Sequence, residues 1–158
     1  RKAHLQGLSP KENREVPPLR YEVPLRLKQE HPELGVILNG GLKSLAQVRE
    51  WLPRFDGVML GRQAYHEPYL LAELHQACVD PGWPLPSREA VVEQYAEYVE
   101  RMLQDGHRLP LMLRHIHGLY AGFPGTRSWR RFLSEQGARK GAGAEVLRQS
   151  LRIFDRAA

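Results

Sequence analysis

Two short glycine turns carry the most evident chemistry in this sequence. Asn39-Gly40-Gly41 closes the apolar run Val36-Ile37-Leu38, and Gly61-Arg62 closes Val58-Met59-Leu60 one unit later. A bound phosphate needs close backbone approach, which a side chain at Gly40 or Gly41 would block. It also gains from N–H groups where a following helix begins, here at Ser44. Taken singly, the first turn reads equally well as an ordinary βα connection. Two such turns, at the same ends of consecutive parallel strands, match the way barrel folds build a phosphate site from their last two units. Arg62 adds a guanidinium that either meets the phosphate or forms a surface ion pair.

A second kind of chemistry lies near the other end. Arg127, Arg130 and Arg131 stand at i, i+3 and i+4, which puts three guanidinium groups on one helix face with Trp129 directed elsewhere, into a core. Guanidinium forks suit phosphate oxygens, and RNA backbone contact is favoured over a merely solvated face. Lys2, Lys11, Asn13 and Arg14 offer a further basic group in the first loop, where a solvated loop is an equal reading. The formal charge is +5, but it is unevenly placed: after residue 105, ten Lys+Arg stand against three Asp+Glu, while the earlier residues are slightly acidic. A basic third on a near-neutral remainder points to a polyanion, nucleic acid before membrane surface.

Other chemistries find little support. One cysteine, Cys78, rules out an internal disulfide and any multi-cysteine zinc site. It sits in a leucine-rich helical stretch with nothing to activate the thiol. His115 and His117 are two apart and cannot ligate one ion as an i, i+4 pair would, so no metal is expected. No apolar run reaches the roughly 18 residues that span a bilayer, and the first residues lack the apolar core of a signal peptide, so a cytoplasmic protein is expected.

The elements that must position these groups follow from patterning. Residues 1–18 read as a long loop, followed by a short helix with Pro24 in its first turn that ends near His31-Pro32. Strands are expected near 36–38 and 57–60, with a helix between them capped by Ser44 and Gln47. Three prolines in Pro81-Gly82-Trp83-Pro84-Leu85-Pro86 mark a domain boundary near residue 80. Beyond it, four helices are expected: from Ser87 to Asp105 with Val91, Tyr95, Val99 and Met102 inward, then about 110–120, 127–136 and 144–155.

The sequence also resembles a known family. Arg1-Lys2-Ala3, Gly7-Leu8-Ser9-Pro10-Lys11-Glu12-Asn13-Arg14, Asn39-Gly40-Gly41, Asp56-Gly57-Val58-Met59-Leu60-Gly61-Arg62 and Gly125-Thr126-Arg127-Ser128-Trp129-Arg130-Arg131 are similar, in order and separation, to tRNA-dihydrouridine synthases of the A subfamily. The resemblance implies α/β plus all-α architecture. Residues 1–80 would be the C-terminal βα units of an FMN-binding TIM-like barrel, and 81–158 a helical tRNA-binding bundle. It implies an enzyme that uses NADPH to reduce FMN and then reduces a uridine of the tRNA D-loop, at positions 20 and 20a. It places Asn39, Gly40, Gly41, Gly61 and Arg62 on the FMN-phosphate loops, and Lys11, Arg14, Arg127 and Arg130 facing tRNA.

The family's catalytic cysteine lies before the matched segment, and Cys78 does not replace it. The chain is therefore expected to be a fragment that does not catalyse alone, holds FMN weakly or not at all, and self-associates through exposed barrel edges. Two other functions stay open on the residues alone: a non-catalytic RNA-binding module, and another FMN barrel oxidoreductase acting on a small molecule.

Overall fold

A computed structural model describes His4 and residues 6–155, which fall into two compact units divided after Gly61. The Arg1-Lys2-Ala3 motif, and with it the basic group of Lys2, lies outside the described residues.

The first unit is built on a two-stranded parallel sheet. Strand β1 (Ile37–Asn39) pairs with β2 (Gly57–Met59) in the register Ile37 with Gly57 and Asn39 with Met59. Helix α1 (Glu22–Glu30) precedes β1, and α2 (Leu45–Trp51) crosses between the strands. The α1 helix stops at His31, whose ψ of 70° has left the helical region that a following proline disfavours. Lys28 then ties the return loop, donating from Nζ to the carbonyls of Pro32 and Leu34 and to Asp56. Asp56 also accepts from the Val36 N–H at 2.7 Å, a bond that, ahead of the Lys28 ammonium, holds its carboxyl below the ordinary range. Leu38, Leu42 and Phe55 form the core with Tyr21, Leu25, Trp51 and Val58 around them. The opposite sheet face leaves Ile37 and Met59 exposed.

The second unit contains no strand among its described residues. Helices α3 (Arg62–His66) and α4 (Tyr69–Cys78) lead into α5 (Arg88–Gln104), α6 (Leu109–Leu113), α7 (Thr126–Gly137), α8 (Glu145–Ser150) and α9 (Arg152–Asp155). Ser87 caps α5 through the Ala90 N–H, and Gly106, at φ +83°, closes it with the His107 N–H returning to Met102. Trp129, Leu133 and Leu147 are fully buried at the centre, with Val92, Ala96 and Val99 of α5 packed around them.

Three helix expectations are corrected. The deepest stripe of α5 is Val92, Ala96 and Val99, turned from the expected one: Val91, Tyr95 and Met102 are only partly buried. Val92, Ala96 and Val99 are fully buried, while Tyr95 is partly buried with its hydroxyl on the Met112 carbonyl at 3.0 Å. The helix expected over 110–120 ends at Leu113 and continues as turns with i to i+3 hydrogen bonds. Side chains take the carbonyls a longer helix would need: Tyr95 on Met112, Arg130 on His117 and Arg88 on Leu119. The helix expected over 144–155 is broken at Leu151 into α8 and α9, so residues 88–155 hold five helices where four were expected.

Candidate phosphate turns and nucleic-acid interface

Asn39 is the last residue of β1, exposed on the same sheet face as Ile37. The chain then turns through Gly40 at φ +125° and Gly41 at φ +72°, both in the left-handed region that L side chains avoid. An added Cβ would crowd Leu19 at either position, 3.0 Å from its Cδ2 at Gly40 and 2.4 Å from its Cδ1 at Gly41. The Tyr21 hydroxyl donates to the Gly40 carbonyl and so fixes the turn from beneath. That anchor was invisible in the sequence, because Tyr21 lies in a different element.

Ser44 caps α2 as its spacing from Gln47 implied, accepting from the Gln47 N–H at 3.3 Å. Gln47 in return accepts from Lys43 at 2.8 Å, one residue earlier than in the usual reciprocal pair. The start of this seven-residue helix is thus served by its own side chains, and the glycine turn itself is the part left suited to a phosphate. β2 ends beside β1, and Gly61 follows it two residues later, so the first unit brings Asn39, Gly40, Gly41 and Gly61 to the C-terminal ends of two paired parallel strands. Arg62, exposed, opens α3 and belongs to the second unit.

Replacing Gly41 by alanine is expected to cost the chain about 1–2 kcal/mol from the left-handed backbone alone. Gly35→Ala is the control, since Gly35 has neither a positive φ nor a neighbour in the way. Urea unfolding of the two variants tests this, and equal midpoints would mean that the turn is not held as described.

The first basic group is more ordered than a loop reading suggested. Ser9 and Glu12 form a capping box: the Ser9 N–H and Oγ donate to Glu12 Oε2 at 2.8 and 2.6 Å, and the Glu12 N–H returns to Ser9 Oγ. These bonds from Ser9, side chain first, hold the Glu12 carboxyl below its ordinary range. Asn13 clamps the loop, accepting from the His4 N–H and donating to the His4 and Leu8 carbonyls. The result is a 3-10 turn, Glu12–Arg14, flanked by Lys11. Lys11 and Arg14, three apart, share one side of such a turn and are both exposed. The Ser-x-x-Glu spacing was the signal that would have found it.

On α7 the three arginines are exposed while Trp129 is buried, yet they are not equivalent. Arg127 has no ion-pair partner among the described residues. Arg130 Nε donates to the His117 carbonyl at 2.8 Å, and Arg131 lies 3.9 Å from Glu135, four residues on, so the stripe has one balancing acid after all. Part of the basic third is likewise spoken for. Arg148 bridges Glu93 and Glu100 of α5 at 2.6 and 2.5 Å, which raises its pKa further.

His117 keeps Nε2 buried without a hydrogen-bond partner, and burial followed by the nearby Arg130 lowers its pKa, so the ring is held neutral. No cluster of three His, Cys, Asp or Glu suited to a metal occurs among the described residues, and no described helix is long and apolar enough to cross a membrane.

Comparison with known proteins places this arrangement. The family model described as "Dihydrouridine synthase (Dus)" matches residues 3–156, and the chain belongs to that family. Among curated relatives, a tRNA-dihydrouridine(20/20a) synthase of Shewanella oneidensis is 50% identical over 148 residues, covering 94% of this chain and 44% of the relative. The protein of the same name from Xanthomonas campestris pv. campestris is 50% identical over 155 residues, covering 98% and 46%. That from Yersinia pestis is 45% identical over 153 residues, covering 97% and 44%. The chain spans about half the length of the curated relatives it matches.

Proposed function

We propose that this chain is the part of a tRNA-dihydrouridine synthase that carries the flavin-phosphate turns and the helices gripping tRNA, acting on uridines 20 and 20a as its relatives' names state. The observation that carries the reading is the pair of glycine turns at the ends of two adjacent parallel strands, in a chain that is strongly basic after residue 105. Residues 1–80 then belong to a TIM-like barrel and residues 81–158 to a helical bundle. The compact first unit ends earlier, at Gly61, because α3 and α4 pack with the helices that follow.

Gly40 and Gly41, bare of side chains and held by Tyr21, fit the phosphate end of flavin mononucleotide, with Asn39, Gly61 and Arg62 as further contacts. Bound FMN, reduced by NADPH, would supply the hydride for the uracil ring. This chain's residues do the holding. The exposed apolar face of Ile37 and Met59 is the surface the rest of a barrel would cover, and it favours self-association where nothing covers it.

Lys11, Arg14, Arg127 and Arg130 take tRNA phosphates. Affinity should then fall by roughly 0.7–0.9 log unit per log unit of salt for each phosphate neutralised. Fluorescence anisotropy with tRNA across a salt series tests this. Arg127→Ala is expected to weaken binding about tenfold and flatten the slope by one contact. Arg130→Ala should do the same, with an added loss because it also abandons the His117 carbonyl. Unchanged affinity and slope in both variants would make the stripe a solvated face.

A further inference from the structure

The turn that follows α6 holds a cluster that neither the glycine turns nor the α7 stripe uses. Arg114 Nε donates to His115 Nε2 at 3.3 Å, and the other ring nitrogen, Nδ1, lies 3.2 Å from the hydroxyl of Tyr65 on α3. A guanidinium has no acceptor, so Nε2 must accept, and a neutral ring then carries its proton on Nδ1 and donates it to Tyr65 Oη. The phenol is left with its own proton for an outside acceptor. Arg114 is left with both terminal amino groups, which make no other bond among the described residues. Imidazole bridges the two and holds them side by side.

All three side chains are exposed, Tyr65 at 53%. Its ring contacts are edge contacts, with His115 at 5.8 Å and 81° and with His66 at 6.3 Å and 72°, so no ring lies parallel upon it. An unpaired guanidinium beside an unstacked aromatic ring matches single-stranded RNA, whose phosphate suits the fork and whose splayed base suits the ring. The opposite end of the same turn accepts Arg130 through the His117 carbonyl, so the cluster continues the basic surface of α7.

We propose that Arg114 and Tyr65 hold one unstacked RNA nucleotide, its phosphate on the Arg114 fork and its base against the Tyr65 ring, with His115 as the positioning residue between them. The proposal rests on the RNA-binding reading of α7 and adds a contact that phosphate recognition alone does not contain.

The two halves of the contact answer differently to salt. With the full chain, tRNA and a salt series, Arg114→Ala should flatten the slope by roughly 0.7–0.9. Tyr65→Leu should weaken binding roughly 5- to 100-fold at every salt concentration without changing the slope, because stacking releases no counterions. Tyr65→Trp should restore the affinity, since any ring offers a stacking face, and His115→Gln should lose part of both effects. A merely structural Tyr65 would not be rescued by the larger indole. Arg127→Ala serves as reference. If Arg127→Ala weakens binding while Arg114→Ala and Tyr65→Leu do not, this nucleotide contact is wrong and the RNA reading stands. A loss in Tyr65→Leu that tryptophan fails to restore also overturns it. Wild-type chain that binds no tRNA at any salt concentration overturns both readings together.

Discussion

Gly118→Ala should destabilise the helical unit by more than the roughly 1–3 kcal/mol usual for an overpacked core. Its φ is not in the left-handed region, so backbone preference does not enter. The obstacle is steric: an added Cβ would stand 2.3 Å from the His66 carbonyl oxygen, 2.8 Å from its carbon and 2.9 Å from Pro68 Cδ. Backbone cannot swing aside as a side-chain tip can. The α3–α4 junction must lift off the turn or the turn must move, and either strains the Tyr65–His115 pair and the Arg88 anchor on the Leu119 carbonyl. At about 4–8 °C per kcal/mol for a unit of this size, the melting temperature should fall by roughly 10 °C or more. Gly106→Ala gives the contrast, since Gly106 has positive φ but open space around it and should cost only the roughly 1–2 kcal/mol of a left-handed backbone. Equal melting temperatures for the two variants would remove the close approach from the account.

Trp129→Ala should cost about 3–5 kcal/mol, the range for emptying a large aromatic site in a core. Trp129 is fully buried, meets Tyr120 edge-on at 5.1 Å and Phe154 at 6.2 Å, and donates from Nε1 to Ser150 Oγ at 2.8 Å. Ser150 is itself fully buried and donates its hydroxyl to the Leu147 carbonyl, so the indole completes a hydrogen-bonded link between α7 and α8. On the proposed RNA-binding role of α7, the same substitution should also reach function. Arg127 and Arg130 flank Trp129 on one helix, and without the anchor their face loses its fixed orientation. Urea unfolding measures the first effect. Anisotropy with tRNA measures the second, in which affinity should drop while the net charge is unchanged. Trp129→Phe should fall between wild type and alanine, and a stability loss under about 1 kcal/mol for alanine would contradict the central place given to this side chain.

Much of this protein was readable before any coordinates. Both strands, the Ser44 and Ser87 caps, the Gly106 stop and the α7 helix follow from local rules, because each is decided by residues within one turn or one strand. The glycine turns were readable for the same reason. The order and separation of the motifs carried the family resemblance, and the match over residues 3–156 bears it out.

What the sequence could not determine was set by groups far apart along the chain. Where the helix after Pro110 gives way to turns, the carbonyls of Met112, His117 and Leu119 accept from Tyr95, Arg130 and Arg88, which lie 17, 13 and 31 residues away. The inward stripe of α5 is Val92, Ala96 and Val99, buried against residues of α6, α7 and α8 that lie far along the chain. Ten basic residues after position 105 are a count that sequence supplies, but only the fold decided that Arg148 is consumed by Glu93 and Glu100 while Arg114 and Arg127 form no ion pair among the described residues. Composition fixes how much charge a surface carries. Pairing across 48 and 55 residues of chain depends on which helices come to lie side by side, and that is a property of the packed core.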